Sequence, residues 1–234
     1  ANNTTIAPGM YTNADSVYVT VLDELSSSNS SFTIDFIPLG KDEKEAVSYN
    51  PLVGLTKEGK YTLTPKDGVN IEGRSISFYI YRLDPGYLIL NDVESVDKVA
   101  TQVLDLIEDI LSGGKGLNGE HLARTKAQIS WPQYGIGDYE EYAPIVSVLI
   151  DGKSYSAIYN QEKQIYLGDV IDTVGNHTIV VTDAAGNKAT TLLTINNTNN
   201  VCINGKSIEF SEFKNPKDKE AIEKVTNTIM SEIK

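Results

Sequence analysis

The stretch from Gly175 to Ile195, Gly-Asn-His-Thr-Ile-Val-Val-Thr-Asp-Ala-Ala-Gly-Asn-Lys-Ala-Thr-Thr-Leu-Leu-Thr-Ile, constrains the fold of this chain most. Two runs rich in β-branched residues, Thr178 to Thr182 and Ala189 to Ile195, flank a turn built from Asp183, Gly186 and Asn187. Branched Cβ atoms fit a pleated sheet, and Gly, Asp and Asn supply positive φ and side-chain closure for a tight reversal, so a β-hairpin is expected. Residues 16–22, 32–37, 59–64 and 75–81 also alternate apolar and polar positions, and a further strand is expected near 47–49. Turn residues at 65–68 and 84–86 separate such runs. Short strands with turn signals roughly every ten residues predict a β-sandwich.

Between Asp92 and Leu111 the period changes to about 3.6. Val96, Val99, Ala100, Val103, Leu104, Ile107, Ile110 and Leu111 form one apolar stripe of an amphipathic helix, with Asn91 or Asp92 as its cap and Gly113-Gly114 as its stop. The glycines at 113–116 follow a helix instead of joining a strand to one, so they do not make a phosphate loop. Residues 1–111 are expected to form an N-terminal β-rich domain ending in this helix, and 112–143 a linker with an aromatic segment. Residues 144–198 are expected to form a second sandwich, and 199–234 a hairpin plus a C-terminal helix at about 217–233. Asp151-Gly152 signals a hairpin turn, and Val148 to Ser154 is echoed by Val201 to Ser207. Gly59 to Leu63 with Asp67 likewise echoes Gly175 to Ile179 with Asp183. Two sandwiches built on one plan explain that echo; so does the shared chemistry of any hairpin of this type.

The residues from Pro144 to Ile195 resemble the bacterial immunoglobulin-like modules of Gram-positive surface proteins. The late hairpin of those modules is matched by Gly175, His177, Thr178, Ile179, Val181, Asp183, Gly186, Asn187, Ala189, Leu193 and Ile195. The resemblance implies a mainly β fold with immunoglobulin-like sandwich domains. It implies an extracellular or cell-wall-associated protein acting as an adhesive, structural or spacer module. The helices near 92–111 and 217–233 depart from that family's plain sandwich.

With 32 acidic against 20 basic residues the formal charge is -12, which repels phosphate backbones and anionic headgroups, so neither nucleic acid nor membrane insertion is expected. Only Arg74, Arg82 and Arg124 offer guanidinium forks. The single Cys202 lies in an apolar strand pattern and permits no internal disulfide. The start at Ala1, without methionine or leader, suggests a processed terminus or an excised piece.

His121 and His177 stand in different contexts and suggest no dyad or triad; with no Gly-x-Ser-x-Gly or His-Glu-x-x-His motif, no enzyme and no cofactor are expected. Adjacent Glu140 and Glu141 on an extended segment point apart. Asp183 with Asn187, and Asp169 with Asp172, have calcium-ligand chemistry but also close turns, and no metal is assigned to them. The remaining candidate is aromatic. Trp131, Tyr134, Tyr139 and Tyr142 alternate with Asp138, Glu140 and Glu141, the combination of flat apolar faces and carboxylates that grips sugar rings. The competing expectation is that these rings seal a joint between domains. The expected partner is a protein or glycan on a surface or matrix.

Overall fold

The computed structural model describes residues 5–21, 30–69, 71–91, 95–114, 116–123, 125–133 and 142–196, with the backbone of 200–203, 206–209, Glu223 and Asn227. In chain order the strands are β1 Tyr11–Thr12, β2 Ser31–Pro38, β3 Gly59–Lys66, β4 Ile76–Ile80 and β5 Leu88–Leu90; then, after helix α1 Val96–Leu111, β6 Gly119–Ala123, β7 Gln128–Pro132 and β8 Ile145–Ile150. They continue as β9 Lys153–Ser154, β10 Ala157–Asn160, β11 Ile165–Gly168, β12 Gly175–Asp183, β13 Lys188–Ile195, β14 Asn200–Ile203 and β15 Lys206–Glu209. The expected hairpin is β12–β13, paired from Gly175 opposite Ile195 to Thr182 opposite Lys188. Its alternation is strict: Ile179, Val181, Ala189, Leu193 and Ile195 are buried while Asn176 and Thr178 face solvent.

Around that hairpin the strand order is β6-β13-β12-β8-β9, with β6 parallel to β13, and the opposing sheet has the order β10-β11-β7-β5. Both sheets feed one core, Ile89, Ile129 and Trp131 from one and Ala123, Val148, Ile179, Val181, Leu193 and Ile195 from the other. This is immunoglobulin topology: β5, β7, β11 and β10 stand as strands A, B, E and D, and β8, β12 and β13 as C, F and G, with β9 as an added edge. The first strand is divided, β5 in one sheet and β6 in the other. The mainly β, sandwich-based class expected from the sequence is the one observed.

Three local expectations change. The span 112–143, read as linker, contains β6 and β7, both hydrogen-bonded into this sandwich. These strands are short, and β6 is held at the edge by a parallel partner 72 residues on (Thr191 opposite Gly119), which no local pattern announces. The helix lies inside the divided first strand and packs Val99, Ala100 and Val103 against Leu90 and Ile165, on the face of the β10-β11-β7-β5 sheet turned away from the sandwich core. That sheet is therefore covered on both sides, which accounts for the unbroken apolar run Leu88-Ile89-Leu90. The helix starts at Ser95 without a side-chain cap, not at a capping Asn91 or Asp92, and Asp97 supplies negative charge in its first turn. Its end is as expected, Gly113 adopting φ 93. Finally, 16–21 and 47–49 are not continuous strands. Val17 makes one bridge, to Leu55, and Tyr49 closes the gap by side chain, its hydroxyl accepting from Val19 N at 2.9 Å and donating to Val19 O at 3.2 Å.

The N-terminal sheet has the order β1-β4-β3-β2, with β1 parallel to β4. It matches β6-β13-β12-β8 strand for strand, and the two echoing glycines occupy the same place: Gly59 opens β3 with φ 144 and Gly175 opens β12 with φ 132. Its core holds Phe36, Leu55, Tyr61, Leu63, Phe78 and Ile80. The second echo also holds, since Ile150 pairs with Lys153 and Ile203 with Lys206 at the same offset. Asp151 and Gly152 take φ 51 and 76, as the tight two-residue hairpin turn requires. Of the C-terminal helix expected at 217–233, only Glu223 and Asn227 fall within the described residues, and both are helical.

Candidate functional site

The densest polar and aromatic constellation lies where the N-terminal sheet meets the sandwich. Because β1 runs parallel to β4, Tyr11 sits beside Tyr79, and their rings stack at 4.5 Å and 8°. Tyr81, one residue beyond β4, stands edge-on to Tyr11 at 6.4 Å and to Tyr142 at 6.0 Å. Ile107 of the helix and Ala143 complete the wall, and the tip of the β12–β13 hairpin enters it through Ala185, 7% exposed. Hydrogen bonds pin the tip: Asn13 N donates to Ala185 O at 3.1 Å, Ala184 N to Pro144 O at 2.8 Å, and Asn187 Nδ2 to Tyr81 O at 3.1 Å. The Tyr142 hydroxyl accepts from Gly86 N in the segment linking the two units.

Asp183 closes the tip from within. Its Oδ1 accepts from Asn187 N at 2.9 Å and its Oδ2 from Asn187 Nδ2 at 3.0 Å, so both oxygens serve the turn. Burial pushes its carboxyl above the usual range, against the pull of these hydrogen bonds. Burial likewise raises Tyr81 and Tyr142, so both are neutral phenols at physiological pH. Among the described residues the buried Tyr81 hydroxyl has no hydrogen-bond partner. Neutral phenols and a carboxylate committed to a turn make a structural seal and supply no nucleophile–base pair.

The sequence candidates divide between two places. Tyr142, 2% exposed, belongs to the joint, whereas Trp131, 7% exposed, lies in the core of the second sandwich. Tyr134 and Tyr139 lie outside the described residues, as do Asp138, Glu140 and Glu141. Trp131 ends a cross-strand aromatic row: it pairs with Tyr166, which pairs with Tyr159, at ring separations of 5.4 and 5.0 Å. Tyr159 and Tyr166 are half-buried. Sequence reading missed Tyr11, Tyr79, Tyr81, Tyr159 and Tyr166, which reach these places only through strand pairing. One local signal was available: Ala184-Ala185 puts two apolar residues at a hairpin tip, where polar ones are usual.

His177 and His121 project from separate strands. His177 Nδ1 lies 2.8 Å from Asp151 Oδ2 and its Nε2 2.8 Å from Thr173 O, and these contacts raise its pKa. His121 Nε2 lies 2.7 Å from Asn91 Oδ1, and burial lowers its pKa. Among the described residues no group of three or more His, Cys, Asp or Glu converges to hold a metal, and no lysine is buried as an isopeptide crosslink requires. The Arg82 fork is spent on the carbonyls of Ala14, Asp15 and Thr56. A cleft of about 440 Å³ in the N-terminal unit is lined, among the described residues, by Val21, Ser30, Ser31, Phe32, Ile34, Val47 and Tyr49, and these carry no carboxylate, imidazole or amine for acid–base work.

No protein-family model matches the chain, and no curated protein matches it in sequence. Solved structures similar to it include a Bacteroides ovatus mixed-linkage glucan utilization locus SGBP-B in complex with a mixed-linkage heptasaccharide, at 15% identity and TM-score 0.21, covering 71% of this chain and 37% of that one. Fibronectin(III)-like modules of Clostridium thermocellum CbhA match at 13% identity and TM-score 0.27, covering 81% and 90%. The N-terminal four Ig domains of Dscam1 isoform 8.4 match at 14% identity and TM-score 0.28, covering 84% and 45%. This chain thus spans less than half the length of the first and the third.

Proposed function

We propose that the chain is a non-catalytic module of an extracellular or cell-wall-associated bacterial surface protein, in which two sandwiches are locked end to end to hold or space other parts, or to present a surface to a protein or glycan partner. The observation that carries this is the buried tyrosine joint. A flexible tether needs neither of the two hydrogen bonds that cross it, Asn13 N to Ala185 O and Asn187 Nδ2 to Tyr81 O, nor the edge-on contact of Tyr81 with Tyr142, whereas a spacer that transmits position needs all three. The immunoglobulin topology and the acidic surface are in keeping with it.

Small-angle scattering and limited proteolysis of the wild type and of Ala185→Glu test the reading. A rigid wild-type profile fitted by one conformation, and an expanded, proteolytically open profile for the variant, are expected. A wild-type profile that needs a broad ensemble of inter-unit angles sinks it.

A second reading, a glycan-binding accessory module, is favoured by the aromatic row of Tyr159, Tyr166 and Trp131. Here the flat faces come from paired strands, and only Trp131 is kept from the residues chosen in the sequence. A glycan array with Tyr159→Ala and Tyr166→Ala variants tests it, because both rings are half-buried, whereas Trp131 is buried in the core against which Tyr166 packs. Binding that survives both changes, or no binding at all, removes it.

A further inference from the structure

The corner of the N-terminal sheet that meets the sandwich has a counterpart at the sandwich's own far end. Strand register fixes the correspondence. Tyr11 lies opposite Tyr79 as Leu122 lies opposite Thr194, and Gly59 faces Ile80 as Gly175 faces Ile195. One bond beyond the strands agrees: Tyr81 N donates to Thr12 O at 2.8 Å, and Asn196 N donates to Ala123 O at 3.3 Å. Leu122, Thr194 and Asn196 thus hold the places of Tyr11, Tyr79 and Tyr81. Tyr11 is 5% exposed, whereas Leu122 is 62% exposed. At the same end Val174, just ahead of Gly175, is 55% exposed.

Single exposed aliphatic side chains are ordinary on a protein surface, so exposure alone decides nothing. What packs in the cluster of Tyr11 decides more, and there the helix contributes Ile107. The sequence of that helix recurs. Val96 to Ile107 aligns without a gap on Ile222 to Ile233: Lys98 with Lys224, Val99 with Val225 and Ile107 with Ile233 are identical, Val96 and Val103 meet isoleucines, and Asp97 meets Glu223. The buried positions Val99, Val103 and Ile107 of α1 therefore recur as Val225, Ile229 and Ile233. Of the later stretch the structure describes Glu223 and Asn227, and both are helical. Chain order recurs as well: α1 comes after β4 and the short β5, and the second stretch comes after β13 and the short pair β14–β15. The path from Ile195 to Ile233 is longer than that from Ile80 to Ile107, so reach does not limit it.

We infer that the Leu122 and Val174 end of the sandwich is a joint surface whose occupant is this chain's own 222–233 stretch, set as α1 is set, with Ile233 taking the place of Ile107. The chain leaves β13 at Ile195, beside the strand that carries Leu122, so the onward segment starts at the surface it covers. Thr194 and Asn196 supply no rings where Tyr79 and Tyr81 do, so this contact rests on aliphatic packing and is the weaker of the two. The inference goes beyond the spacer reading and does not need it. That reading stands or falls on scattering at the Ala185 joint, this one on thiols placed at the opposite end.

In the full chain carrying Cys202→Ser, Leu122→Cys is paired with Ile233→Cys or, as a control, with Ser231→Cys, which aligns with the exposed Asp105 on the wet side of α1. A short bis-maleimide, read out by peptide mass spectrometry, is expected to bridge the Leu122→Cys and Ile233→Cys pair within one molecule at least about tenfold faster than the control pair. Equal rates overturn the seat. Bridges that form only between molecules, and rise with protein concentration, overturn it in favour of a second copy.

A second measurement leaves the sandwich unaltered. Ile229→Asp with Ile233→Asp is expected to shift the methyl NMR signals of Leu122 and Val174 and to leave in place those of Ile158, 75% exposed on β10. Unmoved Leu122 and Val174 signals refute the assignment.

Discussion

His177 makes the stability of the second sandwich depend on pH in a way the geometry specifies. Both of its ring nitrogens face acceptors, a carboxylate oxygen of Asp151 and the carbonyl of Thr173, each at 2.8 Å. Only the imidazolium can donate at both places; the neutral ring must turn a lone pair toward one acceptor. His177 therefore binds its proton more tightly folded than unfolded, where 6.5 is its ordinary value. Its contribution is full below about pH 6.5 and is lost as pH rises through the raised folded value. Asp151 bounds the window below, since the His177 and Thr178 hydrogen bonds hold its carboxyl under 3.8 and its share is lost as pH falls through that lowered value. Lys153 also lowers Asp151, and His121 lies two strands away across Leu193.

A hydrogen bond to a charged group contributes about 1.5–3 kcal/mol, and the half-exposed Asp151 carboxylate argues for about 1.5. For a chain of this size that is a fall of roughly 3–6 °C in Tm between about pH 5.5 and about pH 8.5. His177→Gln should flatten that fall. Calorimetry across the range reads it out, with the ring titrated by NMR. If wild type and His177→Gln lose stability in parallel as pH rises, the doubly donating imidazolium is wrong.

Three further outcomes follow from the packing. Gly59→Ala should destabilise more than Gly175→Ala in denaturant melts: both sites have positive φ, costing about 1–3 kcal/mol, but a Cβ at Gly59 would meet Ile37 O at 2.2 Å, while one at Gly175 has nothing within 4 Å. Ile165→Ala should cost about 2–5 kcal/mol in the same assay, because Ile165 is fully buried between its sheet and the helix, and helix amides should then exchange faster. Tyr142→Phe removes the acceptor of Gly86 N in a buried site and should cost about 1–3 kcal/mol, with chemical-shift changes confined to the 84–87 segment and the joint.

The fold was legible where one element carries its own pattern. The β12–β13 hairpin could be read because alternation and turn chemistry coincide within 21 residues, and α1 because its apolar stripe is long. What could not be read is nonlocal. The divided first strand places a helix between β5 and β6, so the boundary drawn after Leu111 cut through a sandwich whose first strand had begun at Leu88. Trp131 and Tyr142, eleven residues apart and taken together as one sugar-gripping segment, lie in different hydrophobic clusters. Their partners come from Tyr166 in one case and from Tyr81 in the other.

The echo between Gly59 and Gly175 admitted a bland explanation in sequence, the shared needs of any hairpin. Hairpin chemistry alone, however, does not dictate what lies beside a hairpin. It requires neither a parallel edge strand against the second strand of each, as β1 lies against β4 and β6 against β13, nor one further antiparallel strand beyond the first, as β2 and β8 supply. The shared plan extends to the turn, where an aspartate closes each tip with the same pair of hydrogen bonds. The two tips differ in their side chains as well as in their place: Ala185 and Asn187 stand where the other turn has Val69 and Ile71, and the Asn187 Nδ2 bond to Tyr81 O is one an isoleucine cannot make. The alanines of the seated tip fit a crowded wall, whereas Val69 and Ile71 of the other are 74% and 66% exposed.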